Sequence, residues 1–312
     1  MKRKTDVIVL NSHGVGQYAY ADRMPKWGET MRVTHWHIDQ DGGKGTNISV
    51  ALGRLGLSVS YIGKVGNDPW GDLGEKWMQD AGVDTTFLYR TDEVATGTAL
   101  IILGPNGENA IIDGDSSSEK LTLEEVTFAI DARKEAKVFV TGFEIPQQLS
   151  LAGAKHAKKL GMTTFLNPSP LPENPTGELS FIDYLVLNEV EAKFLLNLSE
   201  TAEKTSKDIL RELKNVYKCQ NVIMTLGENG SCTLDQNNNF WSTAAPKPEN
   251  VINTAGAGDG YLSAVVYKLI TGTTLKDATE WASNYASLSV TIHGTIPAYR
   301  PLEEVEAFIK KQ

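Results

Sequence analysis

The sequence predicts an α/β fold: a doubly wound, mostly parallel sheet flanked by helices, with a small antiparallel β lid. Three observations point there. Short β-branched runs alternate with helical stretches along most of the 312 residues, the pattern of strands joined by crossover helices. These runs are continuously apolar, as strands covered on both faces are. Two further segments break the alternation with a period of two. At 41% hydrophobic the chain can bury a large core. It is read as one domain over 1–312, with lid segments at about 17–40 and 97–115.

In chain order, strands are expected at 7–10, 58–62, 138–141, 163–166, 184–187 and 222–225. Helices are expected at 45–55, 71–81, 148–160, 189–196, 206–217, 258–270, 275–292 and 302–309. Ligands of such sheets sit at the carboxyl ends of the strands. That places Asn11, Ser12, Thr141, Gly142, Asn167, Pro168, Asn188 and residues 225–230 on one rim. The first exceptional segment alternates around Thr30-Met31-Arg32-Val33-Thr34. The second reads as a hairpin, 98–103 and 109–112 about a turn at Gly104-Pro105-Asn106-Gly107. A lid and an ordinary edge meander fit these two segments equally. The Asn-rich stretch 235–239 reads as a hairpin turn.

Composition narrows the function classes. A net charge of −9 disfavours a nucleic-acid backbone, which demands a basic surface. Cys219 and Cys232 alone give no disulfide framework and no paired metal-thiolate motif. Met1-Lys2-Arg3-Lys4 has the charge of a signal n-region, but the apolar run 7–10 is too short to serve as its h-region. No stretch approaches the roughly 20 apolar residues of a membrane span. A cytoplasmic protein is expected.

Two motifs carry chemistry. Asn253-Thr254-Ala255-Gly256-Ala257-Gly258-Asp259-Gly260 runs straight into an apolar helix. Small residues let the turn approach a ligand, and the amides that open the helix attract anions. Asp259 sets a carboxylate among them. An anion cradle holding a base is what phosphoryl transfer to a hydroxyl requires; taken alone, the Asp also reads as a helix cap. The other motif is Gly42-Gly43-Lys44-Gly45-Thr46-Asn47, which leads into Ile48, Ala51, Leu52 and Leu55 at helical spacing. Lys44 and Asn47 offer donors to hydroxyls or an anion. The spacing is not that of a Walker A loop.

Together the two motifs resemble the two signatures of the ribokinase family of carbohydrate kinases, the phosphofructokinase-B-like group. Intermediate landmarks follow in order: Asn167-Pro168, Asn188-Glu189-Val190-Glu191 and Thr225-Leu226-Gly227-Glu228-Asn229-Gly230. The resemblance spans nearly the whole chain and implies an ATP-dependent kinase acting on a sugar or sugar-like hydroxyl. It implies Asp259 as general base and an anion hole at 255–258, with Gly256, Ala257 and Gly258 as catalytic backbone. It implies sugar contacts from Gly43, Lys44 and Asn47. Glu144 matches a further sugar-contacting glutamate, although a surface-loop carboxylate is an equal reading. It implies a nucleotide site of Asn188, Thr225, Gly227, Gly230 and Asn284. Mg²⁺ is expected on Asn188 and Glu191, largely through water, and a homodimer through the lid.

The chain departs from the family pattern twice. Gly14 and Gly16 align with an Asn-x-Asp pair that binds sugar hydroxyls, a loss on the order of 1–3 kcal/mol per contact. The glycines are expected to leave room for an acceptor other than plain ribose, with His13 or Gln17 supplying new contacts. Asn253 stands where the family has Asp beside an activating monovalent cation, so a weak site and little K⁺ activation are expected. The altered acceptor site also admits a nucleoside kinase. A catalytically silent sugar or nucleotide sensor is the rival of another class. His35-Trp36-His37 puts two histidines on one strand face; with no third ligand nearby, a lid or interface strand is the better reading than a metal site.

Overall fold

The computed structural model describes residues 4–310 apart from 34, 106–108, 173–175, 200, 202 and 249. The elements are β1 (Val7–Leu10), β2 (Gly14–Tyr20), β3 (His35–Asp41), α1 (Gly43–Arg54), β4 (Val59–Gly66), α2 (Pro69–Asp80), β5 (Asp84–Thr91), β6 (Gly97–Leu103), β7 (Asn109–Asp113) and α3 (Leu123–Asp131). They continue with β8 (Val138–Gly142), α4 (Gln147–Lys159), β9 (Thr163–Asn167), β10 (Tyr184–Asn188), α5 (Glu189–Leu195), α6 (Ser206–Tyr217) and β11 (Asn221–Thr225). The last are β12 (Ser231–Leu234), β13 (Phe240–Thr243), α7 (Ala257–Ile270), α8 (Leu275–Ser289) and α9 (Leu302–Ile309).

The large sheet has the order β13-β12-β11-β10-β9-β8-β1-β4-β5. From β11 to β5 every neighbouring pair is parallel, and β12 and β13 close the edge as an antiparallel hairpin. Burial follows the period of two. Ile8 and Leu10 pack with Val126, Ala154, Ala192 and Leu210 of α3–α6. Val7 and Val9 pack with Leu52, Met78, Val265, Tyr285 and Val305 of α1, α2 and α7–α9. Helices therefore cover both faces, and the expected doubly wound architecture is present. Strand order reverses beside β1, which has β4 on one side and β8 on the other. The chain segments leaving the ends of β1 and β8 diverge there, at the crevice where such sheets bind ligands.

The second sheet has the order β3-β2-β6-β7. Its outer pairs are antiparallel, but the central pair of β2 with β6 is parallel, so the sheet is mixed. The alternation centred on 30–34 is misplaced. Residues 30–33 form no strand and Thr34 lies outside the described residues, as do Asn106 and Gly107 of the hairpin turn. The strands lie on either side, in β2 and β3, because β6 offers the backbone partners that fix β2. Sequence reading also passed over β5 and α3, whose polar faces dilute the apolar pattern. The 235–239 turn joins β12 to β13 as expected. Among the described residues no helix is long and apolar enough to cross a membrane.

Candidate active site

Gly42 and Gly43 bring the start of α1 back against the start of β2, where Gly14 N donates to Gly42 O at 3.2 Å. β8, the neighbour of β1, ends in Gly142, and the chain that follows carries Glu144 to the same crevice. The Lys44 amide donates to Glu144 Oε2 at 2.8 Å and the Ser12 hydroxyl to the same oxygen at 2.5 Å. Glu144 is thereby a crevice carboxylate, not a surface one. Burial pushes its carboxyl up to about 7, against the opposing pull of Lys44 and the Ser12 hydrogen bond.

Asp259 lies in the first turn of α7 and is 5% exposed. Lys44 Nζ is 3.7 Å from its Oδ1, and Asn47 Nδ2 donates to its Oδ2 at 3.0 Å. Burial raises its carboxyl above the usual range, with Lys44 and Asn47 working the other way. For the Lys44 ammonium, burial lowers the pKa, but the charges of Asp259, Glu144, Glu191 and Asp41 outweigh it, and the net shift is upward. One cation thus sits among four carboxylates.

The α7 start is a tight turn. Gly256 has φ +71°, and a Cβ there would stand 2.4 Å from the Tyr299 hydroxyl, so only glycine fits. Of the amides at 255–258, two are already used. Ala255 N donates to Asn253 Oδ1 at 3.0 Å and Ala257 N to Thr254 O at 3.3 Å. Among the described residues those of Gly256 and Gly258 have no protein acceptor. Gly258 borders a cleft of about 490 Å³ that Thr225, Gly227, Gly230, Thr254, Ala257 and Tyr261 also line. Its volume is that of a small-molecule site.

Several expected site residues lie elsewhere or do other work. The His13 ring is fully buried. Its Nδ1 is 3.0 Å from Gly42 O and 2.8 Å from Thr46 Oγ1, and its Nε2 is 3.0 Å from Trp70 O. Both nitrogens are engaged between α1 and α2, so His13 has none to offer a sugar. Gly14 and Gly16 open no space either. A Cβ on Gly14 would meet Gly97 O at 3.2 Å, and one on Gly16 would stand 2.7 Å from Asp41 Cβ. Neighbouring chain fills both places. Asn284 turns back to donate to Glu280 O at 2.9 Å; the cleft is faced by Ser283, Ala286 and Ser287 of α8 and by Val290, which caps the helix. That stripe has the spacing i, i+3, i+4, i+7, and Asn284 is one residue, about 100°, off it.

Asn188 and Glu191 form a reciprocal capping box at the start of α5, each backbone N–H donating to the other's side chain at 2.8 Å. Neither lines the cleft. Their hard oxygen donors suit an ion held mainly by water and phosphate. Among the described residues no group of three His, Cys, Asp or Glu could hold a metal. Sequence reading missed Asp41, Thr295 and Tyr18. Tyr18 OH donates to Asp41 Oδ2 at 3.2 Å. The one available signal was Asp41 itself, a charge directly before the Gly42-Gly43 turn.

Comparison with known proteins agrees with this geometry. The model of the pfkB family of carbohydrate kinases matches residues 15–301. A ribokinase of Staphylococcus aureus is 32% identical over 300 residues, covering 96% of this chain and 98% of the relative. A deoxyribokinase of Salmonella typhi is 27% identical over 305 residues, covering 97% and 98%. The structure of Arabidopsis thaliana ribokinase complexed with ribose and ATP has a TM-score of 0.86 at 25% identity and covers 99% of each chain. With most of its length matched by the family and the two signature motifs meeting at Asp259, the chain belongs to the pfkB carbohydrate kinases, phosphotransferases with an alcohol group as acceptor.

Proposed function

We propose that the protein transfers the γ-phosphoryl group of ATP to a hydroxyl of a sugar or sugar-like compound, with Asp259 as general base. The observation that carries this reading is the position of Asp259. Lys44, Asn47 and Glu144 surround it on one side, and the α7 turn with its cleft lies on the other. ATP takes the cleft through Thr225, Gly227 and Gly230; the Arabidopsis relative complexed with ribose and ATP supports the pairing of substrates. The acceptor binds at Gly43, Lys44, Asn47 and Glu144. Its hydroxyl gives a proton to Asp259 as the oxygen attacks the γ-phosphorus, and ADP leaves. The raised affinity of Asp259 for a proton suits a base.

Charge developing on the transferred group meets the amides of Gly256 and Gly258, a smaller anion hole than the four residues first expected. Asn188 and Glu191 would hold Mg²⁺, which would supply neutralisation of the phosphate charge. Asn253 keeps the oxygen of the family's Asp but not its charge, so the monovalent cation site there is weak. The small sheet acts as lid and as dimer contact.

The test is ADP release from ATP across a panel of sugars and nucleosides. Asp259→Asn should lower acceptor-dependent turnover by about 10²–10⁴-fold while ATP still binds. Turnover at the wild-type rate in that variant would remove Asp259 as base.

A further inference from the structure

We propose that Asp41 is a positioning residue for Asp259, acting through the side-chain amide of Asn47. The proposal rests on the reading of Asp259 as base and adds to it a residue that the family motifs do not contain. Asn47 Nδ2 carries two hydrogens. It donates to Asp259 Oδ2 at 3.0 Å and to Asp41 Oδ1 at 3.2 Å. Carboxylates only accept, so this pair fixes which end of the amide faces them. The other end is fixed too: Asn47 Oδ1 accepts from Thr295 Oγ1 at 2.7 Å and from Gly42 N at 3.4 Å. A flipped amide would set its oxygen against two carboxylates and its NH₂ against two donors.

Asp41 is itself well held. Gly43 N donates to its Oδ1 at 3.1 Å, and Thr295 Oγ1 lies 3.2 Å from the same oxygen. It pairs directly opposite Gly16 across β2 and β3, and the missing side chain there is what admits it. The glycine that replaces a family carboxylate thus makes way for a carboxylate from the neighbouring strand. Asp259 is then fixed at both oxygens, by Lys44 at Oδ1 and by Asn47 at Oδ2. Removing Asp41 leaves Asn47 Nδ2 with one partner and lets the amide, and Asp259 with it, rotate out of line.

The charged and titratable groups facing Asp259 are Lys44, Asp41, Glu144 and Tyr299. The negative charge of Asp41 favours protonation of Asp259. Asp41→Asn keeps an accepting oxygen for Asn47 while removing that charge.

The experiment measures kcat, both KM values, the pH profile of kcat and the melting temperature of the full chain. Variants are Asp41→Ala, Asp41→Asn and Thr295→Val, with Asp259→Asn as control. Asp41→Ala should lower kcat by about 100-fold, the cost of a misplaced reacting group, and leave the KM for ATP unchanged. Asp41→Asn should recover most of kcat and move the acid limb to lower pH. Thr295→Val should lower kcat in the same direction as Asp41→Ala. A lower melting temperature in Asp41→Ala with wild-type kcat would overturn the proposal and leave Asp41 as a support for the start of α1. If Asp41→Ala does not fold, an unmoved acid limb in Asp41→Asn together with wild-type kcat in Thr295→Val overturns it equally. An active Asp259→Asn removes the base reading itself, a result distinct from any of these.

Discussion

Glu144 illustrates how a single side chain acquires its chemistry from topology. It is 100 residues from Lys44 in sequence, yet the Lys44 amide donates to it, because β1 and β8 are neighbours where the strand order reverses. Burial there holds its carboxyl at about 7, above an ordinary 4.5. A group whose pKa is raised on folding stabilises fully below its unfolded value. That contribution is lost as pH rises through the folded value. Glu144→Gln carries no such dependence. Its melting temperature relative to the wild type should therefore rise by a few degrees between about pH 5 and 8. A difference that stays constant across that range would sink the assignment. From sequence, Glu144 could be matched to a motif but not distinguished from a surface carboxylate, since only the pairing of β1 with β8 decides it. His13 failed for the same reason: α2, distant in sequence, claims its ring.

At the scale of elements, the turn that opens α7 was legible because its geometry is local. Glycine at 256 and a carboxylate at 259 follow from a tight turn opening a helix, and both are where the motif implies. The choice of free amides was not legible, because it depends on the Asn253 side chain capping Ala255 N. The same amide bears on cation activation. A neutral oxygen already accepting a hydrogen bond is a poor ligand for a monovalent ion, which favours charged or unengaged oxygens. Replacing sodium with potassium should change kcat by less than about threefold, under roughly 1 kcal/mol, and Asn253→Asp should restore a potassium response. A strong response in the wild type refutes this. Helix α8 shows the limit of sequence reading at this scale: an error of one position turned Asn284 about 100° out of the cleft.

The whole molecule was legible where patterns are strong: apolar runs gave the parallel strands, and their alternation with helices gave the two-faced sheet. The small sheet was less so, because β2 and β6 pair 83 residues apart (Gly14 with Gly97) and period two alone does not fix where the strands begin. Its register has a consequence for assembly. Trp36, Ala19, Ile102 and Ala110 form one cross-strand row, and Gln17, Leu100 and Ile112 form the next on the same face. Tyr18 stands on the opposite face, toward Asp41. The face turned away from Asp41 leaves Trp36 51% and Ile112 57% exposed. Apolar side chains clustered on one sheet face mark an interaction surface, and a second copy of the same face makes a self-complementary partner. Sedimentation equilibrium should give a dimer for the wild type and a monomer for Trp36→Asp combined with Ile112→Asp. Because the same sheet carries Tyr18 and Asp41, the monomer should also turn over more slowly, with the acceptor KM raised and the ATP KM unchanged. A monomeric wild type, or a double variant that remains dimeric, would place the contact elsewhere and leave this face to the lid alone.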